Sequence, residues 1–346
     1  MRIVVIHARS DIHAGSELLV AESVGLLRRV GVPEDDIQVV AADARSGPVR
    51  RLIAEADAVV AVAGGYLRAR TWREGLATLR AHGRHLHAAA HSGATVLYLP
   101  QSVGPLNGPA GALLGRWLRM LPQVAVRDDL SVDDVPHAMR VPDLGLLRLA
   151  RQAPSARRGD GSVALVAQRL RAPGQYEYRL RAFAEDLRAS GLPLRTALPG
   201  CTDAGGDDHG FASRLGLEEP AHTLGARLAS AAGPSLVVSA LLRECVLALS
   251  AGVPAVHLSD EPAGRAAFHD LGLAEFVHPA RSFSPEALAI QCRRILRGPG
   301  RYWDRLSTAL PLLAERATAY EEHVAHTLGL APQGMQCHLA AGRPRG

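Results

Sequence analysis

The chain has 346 residues, enough for two domains of about 150 residues each. Hydrophobic residues make up 47% and aromatic residues only 4%, so Val, Leu and Ala must fill the cores, which favours helices on parallel strands over an aromatic-rich β-sandwich. The 39 Lys and Arg exceed the 34 Asp and Glu by a net charge of +5, without a dense basic run interleaved with aromatics; this argues against nucleic acid and suits a small anionic ligand.

The first element is the apolar run Ile3-Val4-Val5-Ile6, a strand too short for a signal peptide and followed by no small-residue cleavage site. Residues 17 to 29 carry Leu18, Leu19, Ser23, Leu26 and Leu27 at helical spacing. Ile37 to Val40 reads as a second strand, Pro48 to Glu55 as a short helix, and Ala58 to Ala63 as a third strand. A helix over 71–90 then leads to the strand Thr95–Leu99. Ala110 to Met120 is again helical and feeds Val124-Ala125-Val126. This is the alternation of a doubly wound parallel sheet.

Pro154 to Gly161 breaks the composition, and the interdomain linker is expected there. The rhythm restarts with strands at Val163–Val166 and 193–198, separated by a helix over 176–190. Further strands follow at 234–239 and 254–257, with a helix over 242–251 between them. Two Rossmann-like domains, 1–153 and 162–300, facing across a crevice in the GT-B manner are therefore expected. A helical segment, 301–330, is expected to cross the interface, and 331–346 is expected to be a disordered tail.

Cys201, Cys245, Cys292 and Cys337 show no CxxC spacing, which suggests reduced thiols and a cytoplasmic protein. No apolar run reaches 18 residues, so no membrane span is expected. His82, His85 and His87 do not provide the i, i+4 pair of a metal-binding helix and read as a solvated face. Neither a metal nor a cofactor is expected, and assembly into a homo-oligomer is left open.

The densest signal is Leu99-Pro100-Gln101-Ser102-Val103-Gly104-Pro105, an apolar run that stops in a polar Gly/Pro turn. At the carboxyl end of a parallel strand such a turn faces a ligand crevice, and Gln101 and Ser102 would line it. An ordinary strand-to-helix connection fits the same residues. Gly64 and Gly65 allow a close backbone approach to a ligand, or form a plain turn. Arg127 ends the fifth strand as a candidate anion clamp, with Ser131 or Asp129 available to cap the next helix. Asp143 suits acid–base work or helix capping equally. Ser239 and Arg243 open a helix after another strand; Arg243 can fork onto a carboxylate or phosphate, or simply pair with Glu244. His7, His13, His91 and His257 lie near strand ends and are acid–base candidates.

In this order, Gly64-Gly65, Gln101-Ser102-Val103-Gly104-Pro105, Val126-Arg127-Asp128-Asp129-Leu130-Ser131, Pro142-Asp143, Val237-Val238-Ser239, Gly252-Val253-Pro254 and Asp270-Leu271-Gly272-Leu273 resemble the polysaccharide pyruvyl transferase family over roughly residues 10 to 280. The resemblance implies a GT-B-like fold and a transferase that moves a pyruvyl group from phosphoenolpyruvate to two sugar hydroxyls. Such a reaction needs cations for carboxylate and phosphate, an acid for the donor's C3 and a base for the hydroxyl. Implied donor contacts are Gly64, Gly65, Gln101, Ser102, Arg127, Ser239 and Arg243; Asp143, His7, His13 and His91 are the proton-transfer candidates. Where the family shows Ser-x-Arg-Leu-His, this chain has Ser239-Ala240-Leu241-Leu242-Arg243, so Leu replaces the Arg and Arg replaces the His. A nucleotide-sugar glycosyltransferase and a non-catalytic family member are the alternatives.

Overall fold

The computed structural model describes residues 1–8, 14–42, 44, 46–166, 168–170, 174–199, 208–217 and 222–330. His13, Cys201, Cys337 and the segment 331–346 lie outside the described residues. By contacts the chain forms two compact units, one built from 1–11, 16–144 and 315–346, the other from 12–15 and 145–314.

The first unit carries strands β1 (Ile3–Ala8), β2 (Ile37–Ala41), β3 (Ala58–Ala61), β4 (Gly64–Ala69), β5 (Thr95–Leu106), β6 (Gln123–Val126) and β7 (Met139–Arg140). Their order is β2-β1-β3-β5-β6-β7, with β4 pairing β5 beyond the end of β3, and the paired strands are parallel. Its helices are α1 (Ala14–Arg29), α2 (Ser46–Ala54), α3 (Trp72–Thr78), α4 (Arg84–Ala90), α5 (Gly108–Arg119) and α6 (Asp129–Asp134). The apolar runs seen in the sequence explain the core: Val4, Ile6, Val59, Val96, Tyr98 and Val126 share one cluster with Leu86, Leu114 and Leu118 from the covering helices.

Three local features bear on the site. Gly64 begins β4 instead of closing β3, because β5 continues through Gln101-Ser102-Val103 to Leu106 and offers a further edge to pair with. The helix over 71–90 is interrupted by a π turn at Leu79–Gly83. Val141-Pro142-Asp143 is a loop after the two-residue β7.

The second unit has the sheet order β12-β11-β10-β8-β9, all parallel, from β8 (Val163–Val166), β9 (Leu194–Ala197), β10 (Leu236–Ser239), β11 (Ala255–Ser259) and β12 (Val277–Pro279). Helices α7 (Leu144–Gln152), α8 (Tyr176–Ala189), α9 (Asp208–Arg214), α10 (Leu224–Ala229), α11 (Leu242–Ser250), α12 (Pro262–Asp270) and α13 (Pro285–Arg297) accompany them. The last helix, α14 (Gly300–Thr327), contributes to the second unit up to Ala314 and to the first from Glu315 onward.

The contact boundary falls at Leu144/Gly145, ahead of the Pro154–Gly161 break expected from composition. The cause is α7, which buries Leu146, Leu149 and Ala150 in the second core. The segment after it is also held there. Arg157 N–H donates to the Gly252 carbonyl (2.8 Å), Asp160 N–H to that of Gly233 (2.9 Å), and the Arg157 guanidinium to the Leu228 and Ser230 carbonyls.

Candidate active site

A polar network occupies the carboxyl edge of the first sheet. Arg127 leaves β6 with its backbone N–H donating to the Gln101 carbonyl (2.9 Å). Its Nε donates to Ser102 Oγ (2.9 Å), and its Nη1 to Asp143 Oδ2 (2.6 Å). Ser102 Oγ in turn donates to Asp128 Oδ2 (2.6 Å). Asp128 is the N-cap of α6: its Oδ1 accepts from the Ser131 N–H (3.0 Å) and from Ser131 Oγ (2.8 Å). The cap expected at Ser131 or Asp129 thus falls to Asp128, and Asp129 instead accepts from Arg140 Nε (3.1 Å). Ser102, Arg127 and Asp143 therefore come together although 41 positions separate the first from the last.

Gly65 sits against the same network. A Cβ on it would lie 2.8 Å from Arg68 Nη2, 3.1 Å from Arg127 Nη2 and 3.6 Å from Ser102 Cβ. Two guanidinium ends thus converge over one bare stretch of backbone. Arg127 is already paired with Asp143 and Arg68 also acts on Glu74, so an anion between the two ends would add charge-assisted hydrogen bonds to guanidiniums that already have carboxylate neighbours. Arg68 was not legible as a site residue because β4 was not; once Gly64–Ala69 is a strand, its side chain is positioned beside β5.

Gln101 behaves differently. Between the pairs Tyr98–Val124 and Gln101–Val126, β5 carries one more residue than β6. The bulge restores Gln101 to the face used by Tyr98 and Val126, while Ser102 points the other way. The Gln101 side chain is fully buried, with its amide beside the Tyr66 hydroxyl. It belongs to an aromatic and imidazole cluster, not to the Arg127 network.

That cluster also holds His7. The imidazole is buried, with Nε2 2.9 Å from Tyr98 Oη and Nδ1 3.2 Å from His82 Nδ1. The Tyr66 and His85 rings pack on it at 4.9 and 5.6 Å. Burial, helped by the charges of His82 and His85, pushes the His7 pKa well below its ordinary value. His85 is pushed down to about 4 by burial and by Arg84, and burial raises the Tyr66 and Tyr98 hydroxyls. His7 is thus a neutral core group rather than an exposed proton donor.

The solvated-face reading of His82 and His85 is likewise overturned, since both are buried. The signal was present: His82, His85, Leu86 and Ala89 follow i, i+3, i+4, i+7, the inward stripe of a helix. His87 is half-buried, its ring tilted against His91 at 4.2 Å and against Trp117 at 5.1 Å. His91 is exposed and precedes the amino end of β5, whereas Arg127 bonds to Gln101 further along that strand, so the structure does not bring His91 into this network.

In the second unit Ser239 ends β10, is fully buried, and its Oγ accepts the Leu241 N–H (3.0 Å). Arg243 stands in the first turn of α11 with Nε 3.6 Å from Glu244 Oε1. Glu244 is buried at that amino terminus, where a carboxylate complements the helix dipole. His257 on β11 donates Nδ1–H to the Ser239 carbonyl (3.1 Å), stacks on Phe268 and is pushed down to about 4 by burial. It is buried, so it too is a structural histidine.

Among the described residues no group of three His, Cys, Asp or Glu is placed to hold a metal ion, and no helix is long and apolar enough to cross a membrane. A cavity of about 400 Å³ opens at the amino ends of β5 and β6, lined in part by Ser92, Thr95, Gln123, His326 and Thr327. It lies at the opposite sheet edge from Arg127.

Comparison with known proteins adds three findings. The family described as Polysaccharide pyruvyl transferase matches residues 13–190, just over half of the chain. No curated protein matches. Among solved structures, a UDP-GlcNAc 2-epimerase from Neisseria meningitidis bound to UDP-GlcNAc is similar with a TM-score of 0.52 at 9% identity, covering 91% of this chain and 99% of that one. MnaA from S. aureus with UDP gives 0.55 at 9% identity, with 96% and 98% covered. An α-glucosyltransferase with UDP and a 13-mer DNA gives 0.53 at 9%, with 95% and 99% covered. At such identity the likeness shows the fold alone: two Rossmann-like units of the GT-B class.

Proposed function

The chain belongs to the polysaccharide pyruvyl transferase family, and from that premise we propose that it transfers a pyruvyl group from phosphoenolpyruvate to two hydroxyls of a sugar, releasing phosphate. The observation that carries this reading is the convergence of Arg68 and Arg127 over Gly65. A small donor bearing carboxylate and phosphate is the ligand that such a pair favours.

The chemistry runs as follows. A proton adds to C3 of the donor, and C2 becomes oxocarbenium-like. One sugar hydroxyl adds to C2, phosphate leaves, and the second hydroxyl closes the ketal. Of the two hydroxyl protons released, one balances the new methyl group and the other leaves on phosphate. Arg127 and Arg68 hold the donor's negative charge, and Ser102 orients Arg127 at Nε. Asp143, fixed by Arg127 Nη1, is the acceptor for a hydroxyl proton. Ser239 and Arg243 are the second unit's own candidates for an anionic group. Arg243 stands where the family places His and cannot donate a proton near neutral pH, so it acts only by charge.

Thermal unfolding with and without phosphoenolpyruvate, followed by mass analysis of acceptor sugars, tests the proposal. Stabilisation by phosphoenolpyruvate and a product heavier by one ketal-linked pyruvyl group support it. Stabilisation by UDP-sugars alone would replace it with a glycosyltransferase reading, and a shift with neither would favour a non-catalytic member.

A further inference from the structure

The helical layer over the first sheet exposes an unusual surface. Trp72, the first residue of α3, is 70% exposed, and the Arg73 guanidinium lies over its ring at 5.4 Å. One turn on, Leu76 is exposed; α5 adds exposed Leu113, and Met120 at its end is 46% exposed. The two helices pack directly, because Gly75 meets Ala110: a Cβ on Gly75 would lie 2.8 Å from the Ala110 Cβ. Their outer residues therefore form one surface. Arg73, Arg80, Arg116 and Arg119 on it are exposed. Glu74 is the sole acidic residue from Trp72 to Ala90 and along α5, and it is bound by Arg70 at 3.1 Å. The surface is thus apolar, aromatic and cationic together.

We infer that the α3–α5 surface docks the protein on an anionic lipid bilayer. The charge argument selects the partner. Four exposed arginines against one acid, Glu74, which Arg70 holds, favour a dense negative surface, such as a layer of anionic headgroups. Phosphate alone does not account for Trp72, Leu76, Leu113 and Met120, which find their complement in the interfacial and acyl region of the bilayer. Arginines beside them keep their charge at headgroup level while their stems lie along the apolar residues. Such docking needs no spanning helix. It is independent of the donor chemistry proposed above, since none of these residues belongs to the Arg127 network.

Co-sedimentation of the full chain with vesicles tests this. Binding is expected to vesicles of phosphatidylcholine containing phosphatidylglycerol, to be weak on phosphatidylcholine alone, and to fall as salt rises. The double variants Trp72→Ser/Leu113→Ser and Arg73→Glu/Arg116→Glu should each weaken binding at least tenfold. Their Tm and their affinity for phosphoenolpyruvate should match wild type, because the substituted side chains are exposed. Absence of binding at low salt, or binding that both variants leave intact, overturns the inference. So does self-association of wild type that the variants abolish while vesicles go unbound, which would make a second copy the occupant.

Discussion

Gly65→Ala separates the candidate site from the stability of the fold. Gly65 is outside the left-handed region, so alanine suits its backbone. The new methyl would stand 2.8 Å from Arg68 Nη2 and 3.1 Å from Arg127 Nη2. Arg68 Nη2 is the end of a flexible side chain and can retreat, while Arg127 Nη2, held through Ser102 and Asp143, need give only a few tenths of an ångström. Stability should therefore change by less than about 1 kcal/mol. The proposed function puts the donor's anionic group between the guanidiniums, and the methyl fills that space. Losing one charge-assisted hydrogen bond there costs about 1.5–3 kcal/mol, which is roughly ten- to a hundredfold in Kd. Calorimetric titration with phosphoenolpyruvate reads the affinity, and thermal unfolding without ligand reads the fold. A variant that binds the donor as tightly as wild type, with Tm unchanged, would refute the placement of the anion over Gly65.

Three further outcomes are expected. Asp128→Ala removes the cap of α6 and the acceptor for Ser102, and should lower unfolding stability by about 1–2 kcal/mol in denaturant titrations; an unchanged midpoint would count against the network. Arg243→Ala should weaken phosphoenolpyruvate binding about tenfold, with Arg243→Lys recovering part of it; equal affinity in all three would mean that Arg243 serves only Glu244. His85 and His257 both have folded pKa values of about 4, below the value of 6.5 for an unperturbed imidazole. Between those limits the unfolded chain binds the extra protons, so stability falls as pH drops from 6.5 towards 4, by about 1.4 kcal/mol per pH unit for each histidine. Above pH 7 these two residues should contribute no slope, and a flat unfolding free energy from pH 7 to 4.5 would contradict their burial as neutral rings.

The alternation of apolar runs with helical spacing was enough to read the parallel architecture, because strands buried on both faces are continuous runs of Val, Ile, Leu and Ala. Val-Arg-Asp-Asp-Leu-Ser indicates a helix cap after a strand, but its spacing does not single out Asp128, which takes that place instead of Ser131 or Asp129. What escaped detection depended on pairing. Gln101-Ser102-Val103-Gly104-Pro105 has the composition of a turn, and only β4 beside it turns it into strand. The bulge before Gln101 is a mismatch with β6, invisible in either segment alone, so Gln101 and Ser102 were assigned to one site although they serve opposite faces. His7 and His91 both sit near strand ends. Proximity to an end does not say which end, nor how deeply the ring is covered.

The Ser102–Arg127–Asp143 arrangement also has a kinetic and entropic consequence. A free arginine side chain carries about 2 kcal/mol of rotamer entropy. Here Nε and Nη1 are already fixed by Ser102 and Asp143, so that freedom is lost during folding and not upon association. An arriving anion meets a fork whose orientation is set, and the ordering penalty that usually accompanies recognition by long side chains is reduced. On the proposed function, discrimination among donors would depend on how well their charges match a fixed spacing, not on how far the clamp must travel to find them.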